Sequence, residues 1–298
     1  MTFKLSAFAY LLVALAAHAS FGGSIEPVRL RCEYREEPLG IDAPRPRLSW
    51  WCGAVDPERR GLRQTAYRIQ VATDALALGD DGADLWDSGE VASDRSHLVP
   101  YGGRPLESRR RYVWRVRLRD QDGGDSGWSR PASFATGFLD PGGWTARWIS
   151  AKAPASSTAP ASSALPLFRR EFVIEKPVRR ATAFVCGLGH YELRIDGRRA
   201  GDLALAPGWT NYRKSCLYDT LDVTGMLGPG RHALGVLLGN GMYNVTGGRY
   251  VKFTGSFGPP KLILEVLVEH ADGTSTVVRT DGAWKTAPGP IVFSCVYG

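Results

Sequence analysis

From Tyr112 to Asp120 the chain reads YVWRVRLRD, with Tyr112, Trp114, Val116 and Leu118 alternating with Arg115, Arg117 and Arg119. Successive side chains of a strand point to opposite faces, so this pattern predicts a strand buried on one side only. AYRIQVAT (Ala66 to Thr73) repeats it, with Tyr67, Ile69 and Val71 on one face. Turn signals separate such runs: Asp122-Gly123-Gly124, Asp196-Gly197 and, at the tip of KLILEVLVEHADGTSTVVRT, Asp272-Gly273. An Asp-Gly pair between apolar runs favours a tight hairpin. Beyond the first twenty or so residues no stretch sustains the i, i+3, i+4, i+7 spacing of an amphipathic helix. The chain is therefore expected to be all-β, and its 35 Gly and 19 Pro suit many short strands joined by turns.

With 298 residues there is room for about two domains. Residues 25–138 read as a small antiparallel sandwich in which Trp50, Trp114 and Trp128 fit the core and its flanking corner. A junction at 139–166 follows, where GGWTARWIS leads into AKAPASSTAPASSALP, too poor in large apolar residues to order itself. Residues 167–298 read as a second β-sandwich, expected to be a jelly roll. Residues 1–19 read as a signal peptide: Lys4, an apolar run from Leu5 to Ala17, and Ala17-His18-Ala19 before Ser20. That run falls short of the ~20 residues of a membrane span. The expectation is export to the periplasm or the extracellular space, with no membrane attachment after cleavage; an uncleaved anchor is the alternative.

The formal charge is +7, from 30 Arg and 7 Lys against 30 acidic residues. Nucleic-acid binding would concentrate this charge on one face. The arginines are scattered instead, so nucleic acid is not expected as a partner. Of the cysteines Cys32, Cys52, Cys186, Cys216 and Cys295, Cys32 with Cys52 or Cys186 with Cys216 could pair in an oxidising compartment; equally, all could be small buried hydrophobes. The odd number leaves one free thiol or an intermolecular bridge.

Several blocks resemble the amino-terminal part of bacterial α-L-rhamnosidases, glycoside hydrolase family 78. They are LRCEYREEPLGIDAPRPRLSW (Leu30 to Trp50), the stretch from Leu85 to Ser129, FRREF (Phe168 to Phe172), GLGHYELRIDGRRAGDLALAPGWTNY (Gly187 to Tyr212), YDTLDVTGML (Tyr218 to Leu227), GVLLGNGMYN and FGPPKLILEVLVEHADG. The resemblance implies an immunoglobulin or fibronectin-III-like sandwich followed by a jelly-roll domain associated with substrate recognition. In that family an (α/α)6 barrel further on hydrolyses terminal α-L-rhamnose with inversion. The matched pattern stops at GPIVFSCVYG (Gly289 to Gly298), so no residue here inherits a catalytic role. The chain is expected to be an accessory, carbohydrate-binding region for rhamnose-containing glycans, whose catalytic barrel is separately encoded or lost. A spacer without ligand binding is the alternative.

Inverting glycoside hydrolysis needs two carboxyls roughly 6.5–9.5 Å apart. The second unit offers Glu171, Glu192, Asp196, Asp202, Asp219, Asp222, Glu265 and Asp281. Most have simpler roles: Asp196 in a hairpin turn, Asp219 and Asp222 at a strand end, and Glu265 and Glu269 on a water-facing strand side. No turnover is expected from these residues alone. There is no G-x-S-x-G elbow and no zinc pattern. No cofactor is expected, although Asp196, Asp202 and Asn211 are loop candidates for a structural calcium, against turn and cap roles.

LAPGWTNY (Leu205 to Tyr212) sets Trp209, Asn211 and Tyr212 behind a Pro-Gly turn. A saccharide has apolar C–H faces and a hydroxyl rim, so rings beside amides suit it. GNGMYN adds Asn240, Tyr243 and Asn244, and the segment after Gly187 adds His190, Tyr191 and Glu192. Clustered at one end of the sandwich, these loops would form a shallow carbohydrate site. Folded back on themselves, or packed on another domain, they would bury their own rings.

Overall fold

The computed structural model describes residues 22–140, 142–151, 164–245 and 255–294. The signal-peptide segment 1–19, most of the Ala/Ser/Pro stretch and Cys295 lie outside the described residues. Strands dominate, and the helices among the described residues are two short 3-10 turns, Ala75–Ala77 and Thr224–Met226. No helix among them is long and apolar enough to cross a membrane.

The chain divides into two compact units. The first holds residues 22–31, 47–103 and 113–132. One of its sheets pairs β1 (Ile25–Cys32) with β2 (Arg47–Ala54) and the short strand Val99–Pro100. The other runs β5 (Asp125–Trp128), β4 (Arg111–Asp120), β3 (Gln64–Ala72) and the short strand Trp86–Asp87. The alternation sets the layers as expected: Tyr67, Ile69, Val71, Trp114, Val116 and Leu118 are buried with Leu48 and Trp50. Trp50 and Tyr67 meet edge to face at 5.2 Å, joining one sheet to the other. The buried Trp50 indole donates to Gln64 Oε1 at 2.8 Å, so its polar edge is satisfied inside the core.

The outward arginines of β4 act locally. Arg115 and Arg117 lie over the Trp128 ring at 4.3 and 5.1 Å, and Arg68 joins them at 5.8 Å. Arg119 pairs with Glu90 at 2.6 Å. Part of the chain's positive charge is thus spent on cation–π stacks and ion pairs within this sheet.

The second unit holds residues 32–46, 104–112 and the described residues from 133 onward. It is a two-layer antiparallel sandwich of eight longer strands. They are β6 (Pro166–Ile174), β7 (Val178–Leu188), β8 (Tyr191–Ile195), β9 (Asp219–Asp222), β10 (Gly230–Leu238), β11 (Lys261–His270), β12 (Ser275–Arg279) and β13 (Lys285–Pro288). One sheet runs from the short strand Arg198–Arg199 through β8, β10, β6 and β13; the other is β9, β7, β11, β12. Between them Phe168, Leu193, Ile195, Leu234, Val236, Leu262, Leu264, Val266 and Val268 form one core. Asp196 and Gly197 sit at φ 50° and 79°, the left-handed pair that a two-residue hairpin demands.

One strand departs from expectation. Glu265 does not face water: it is fully buried. The outer side of β11 is covered by residues distant in sequence, and the Glu265 carboxylate accepts hydrogen bonds from Thr145 N, Thr145 Oγ1, Ala146 N and Arg109 Nη1. Glu269, four residues on, stays at the surface side and pairs with Arg179 at 3.0 Å.

Candidate functional site

Three loops of the second unit do come together. Gly189 is pressed against the chain at Asn240, where an added Cβ would sit 2.1 Å from the Asn240 carbonyl oxygen. Facing it, Gly241 has φ 50°. These glycines let two backbones approach more closely than any side chain would permit, and Gly239 N donates to His190 O at 2.6 Å. The Trp209 loop is tied on through Tyr191 N, which donates to Ala206 O at 2.9 Å, and through Tyr212, whose ring meets Tyr243 at 5.3 Å and Phe257 at 5.6 Å.

Inside this cluster most of the candidate side chains are engaged by the protein. Tyr191 is buried and donates to Asp219 Oδ2 at 2.8 Å; burial, with Asp219 beside it, pushes its phenol well above the usual tyrosine range. Tyr243 is buried and donates to Phe257 O at 3.0 Å. Asn240 Nδ2 donates to Ser294 O and its Oδ1 accepts from Asn244 Nδ2, while Asn244 Oδ1 accepts from Ser256 Oγ. Asn211 caps its own turn by accepting from Arg213 N at 3.1 Å. Two candidates are left differently. Trp209 is 65% exposed, its indole standing clear of the ring cluster. His190 is half-buried, and burial lowers its pKa, which favours the neutral imidazole.

Cys186 and Cys216 are both free thiols and interact with each other. Cys186 hydrogen-bonds Cys216; that contact and burial raise the Cys186 pKa, whereas Cys216 is drawn down to about 7. Among the described residues, Cys32 and Cys52 show no such relationship: Cys32 is buried and pushed up to about 12 by burial, and exposed Cys52 lies 3.6 Å from Gln64 Oε1.

Glu192 leaves the loop cluster altogether. It stands on the outer face of β8, pairs with Arg194 at 2.7 Å, and lines a groove of about 570 Å³ that crosses β8, β10, β6 and β13. Leu167, Leu237, Ala233 and Gly235 form its apolar floor, and Arg169, Arg194 and Lys285 stand among them. Sequence reading missed this groove; its signal was the run of small outward residues, Ala233 and Gly235, at alternate positions of β10.

Several of the candidate carboxyls are engaged locally. Glu171 pairs with Arg169, Asp196 with His232, Asp222 accepts from Thr224 N, and Asp281 from Ala283 N. Among the described residues no group of three or more His, Cys, Asp or Glu side chains is placed to hold a metal ion. Of the calcium candidates, Asp196 is bound to His232 and Ala233 N, Asn211 to Arg213 N, and Asp202 is exposed.

The architecture defines a class: a two-unit, all-β module whose second sandwich carries an exposed indole at one loop cluster and a groove on one sheet. Residues 27–140 match the family described as Rha78A-like, N-terminal immunoglobulin domain, and residues 176–298 match the Alpha-L-rhamnosidase N-terminal domain. An α-L-rhamnosidase of Alteromonas sp. (strain LOR) is 34% identical over 302 residues, covering 97% of this chain and 32% of that protein. The structure of α-L-rhamnosidase from Dictyoglumus thermophilum superposes with a TM-score of 0.77 at 37% identity, over 90% of this chain and 30% of that one. The α-L-rhamnosidase of Streptomyces avermitilis complexed with L-rhamnose superposes with a TM-score of 0.77 at 27% identity, over 90% of this chain and 41% of that one. The chain corresponds in sequence and fold to the amino-terminal region of the α-L-rhamnosidases of glycoside hydrolase family 78. It spans about a third of the length of these relatives.

Proposed function

We propose that the chain is the accessory, carbohydrate-binding region of an exported α-L-rhamnosidase, and that it contacts rhamnose-containing glycans through the Trp209 loop. The observation that carries this reading is the 65% exposed Trp209 on a loop whose neighbours are locked by hydrogen bonds and ring contacts. An indole held in water by a rigid frame offers a flat apolar face to a sugar ring at little ordering cost. The relative crystallised with L-rhamnose supports the substrate class. Calorimetry with L-rhamnose and with rhamnosylated oligosaccharides tests it. Binding in the millimolar range that Trp209→Ala abolishes supports the reading, and heat-silent titrations with the unaltered protein refute it. Export is tested by sequencing the amino terminus of the mature protein, expected at Ser20.

A spacer role is favoured by a different observation: Ile291, Val292 and Phe293 are 40%, 63% and 60% exposed in succession. Such a patch suits packing against another domain. Self-association of the isolated chain that Val292→Ser/Phe293→Ser relieves supports this second reading.

A further inference from the structure

We propose that the groove on the outer face of the five-stranded sheet is a binding site for an acidic oligosaccharide, with Gly235 as its floor and Arg194, Arg169 and Lys285 gripping the anionic group. The proposal rests on the reading above for the saccharide and on the groove for the acid.

The cross-strand register makes the argument. Arg199 pairs with Arg194, Arg194 with Gly235, Gly235 with Arg169, and Arg169 with Lys285. One row across the sheet therefore reads cation, cation, glycine, cation, cation. Like charges directly opposite each other destabilise a sheet, so this row is not held together by cross-strand attraction. Two acids answer these four cations: Glu171 pairs with Arg169 at 2.8 Å, and Glu192 with Arg194 at 2.7 Å and Arg199 at 3.8 Å. Lys285 is exposed and makes no ion pair among the described residues.

Gly235 is unexplained by folding. It lies at the middle of the central strand, and a Cβ added there would meet nothing within 4 Å. Its φ is not in the left-handed range. A strand-interior glycine with no steric need marks a place where something approaches the backbone closely. Neighbouring strands are about 4.8 Å apart, so Arg194 and Arg169 flank an opening of about 10 Å, the width of a sugar ring with its substituents. Leu167 and Leu237, opposite each other in the next outward row, supply apolar surface for the ring. Among the described residues no exposed aromatic lines the groove, which disfavours stacked nucleic-acid bases.

The test is calorimetry on the whole chain with three probes: a uronic acid–rhamnose disaccharide, its carboxyl-reduced counterpart and a sulfated counterpart. The uronate or the sulfate is expected to bind about tenfold more tightly than the reduced sugar, with the advantage shrinking as salt is added. Whichever anion shows the advantage identifies the acid. Gly235→Leu, which has room for its side chain, should remove the advantage with the melting temperature unchanged, and Lys285→Gln should reduce it about threefold. Trp209→Ala should leave it intact. Equal affinity for all three probes overturns the proposal, as does an advantage that survives Gly235→Leu. Loss of neutral L-rhamnose binding in Trp209→Ala alone bears on the loop and not on the groove.

Discussion

Arg109 Nη1 and Glu265 Oε2 lie 2.7 Å apart although 156 positions separate them in the chain. Glu265 Oε1 takes the remaining donors, with Thr145 N at 2.5 Å and Ala146 N at 2.7 Å. The carboxylate is wholly buried, and the Arg109 guanidinium lies 5.4 Å over the Phe138 ring. Removing one partner of such a pair strands the other charge without water, which costs about 3–5 kcal/mol. Arg109→Ala is therefore expected to lose about 3 kcal/mol in a denaturant titration. Glu265→Leu/Arg109→Leu, which removes both charges, should lose less than either single change. A loss under about 1 kcal/mol for Arg109→Ala would show that the buried carboxylate is held by the Thr145 and Ala146 donors alone.

The sequence showed strands well where one face is wet. Tyr112, Trp114, Val116 and Leu118 are buried as their alternation requires. It misled at Glu265 because alternation reports burial only when the other face meets solvent, and here residues far away in sequence cover it. A signal was available in LILEVLV, where apolar residues occupy both parities and Glu265 alone interrupts them; such a run indicates burial on both faces. At the loops, the glycines of GLG and GNG lie where two backbones meet, Gly189 against Asn240. Which rings would be exposed was not legible: Tyr191 and Tyr243 are buried and Trp209 is not, and only the contacts with Asp219 and Phe257 decide that. The groove escaped notice because it is made by cross-strand register, which no single segment displays.

Acid sensitivity of the first unit should trace to Asp120. Burial would raise its carboxyl, but Ser24 N and Ser24 Oγ at 2.7 Å, with Gly124 N at 2.7 Å and Asp122 N at 2.9 Å, outweigh it and hold the group at about 2 instead of 3.8. A depressed folded-state pKa stabilises above the unfolded value and ceases to do so as pH falls through the folded one. Stability is thus expected to drop between pH about 4 and about 2. Asp120→Asn should be less stable by about 2 kcal/mol at neutral pH and flatter across that window. An unchanged acid slope in the variant would place the sensitivity elsewhere.

His232 carries the opposite sign. Burial lowers its pKa, but Asp196 Oδ2 at 2.7 Å from Nδ1 and the Gly228 carbonyl at 2.7 Å from Nε2 favour the imidazolium and raise it overall above 6.5. The stabilisation is complete below 6.5 and is lost as pH rises through the raised folded value. Asp196 is partly exposed, so the effect on stability should stay below about 1 kcal/mol. An imidazole NMR titration is the sharper readout. Its midpoint should lie above 6.5 in the unaltered protein and fall in Asp196→Asn, where the Gly228 carbonyl alone opposes burial. A midpoint that does not move would remove Asp196 as the cause.

Cys216 should be the reactive thiol of the folded, reduced protein. The hydrogen bond from Cys186 stabilises its thiolate and, against the opposing effect of partial burial, brings its pKa from 9.0 to about 7. The thiolate is the nucleophile, so alkylation follows the ionised fraction. Iodoacetamide labelling of Cys216, followed by peptide mass spectrometry, is expected to rise with a midpoint near pH 7. Cys186, buried and raised, should stay unlabelled, and exposed Cys52, whose pKa burial raises above 9.0, should react only in stronger base. Cys186→Ala removes the donor and should return the Cys216 midpoint toward 9.0, slowing labelling at pH 7 by about tenfold or more. If the variant labels as fast as the unaltered protein, the Cys186 contact does not activate Cys216.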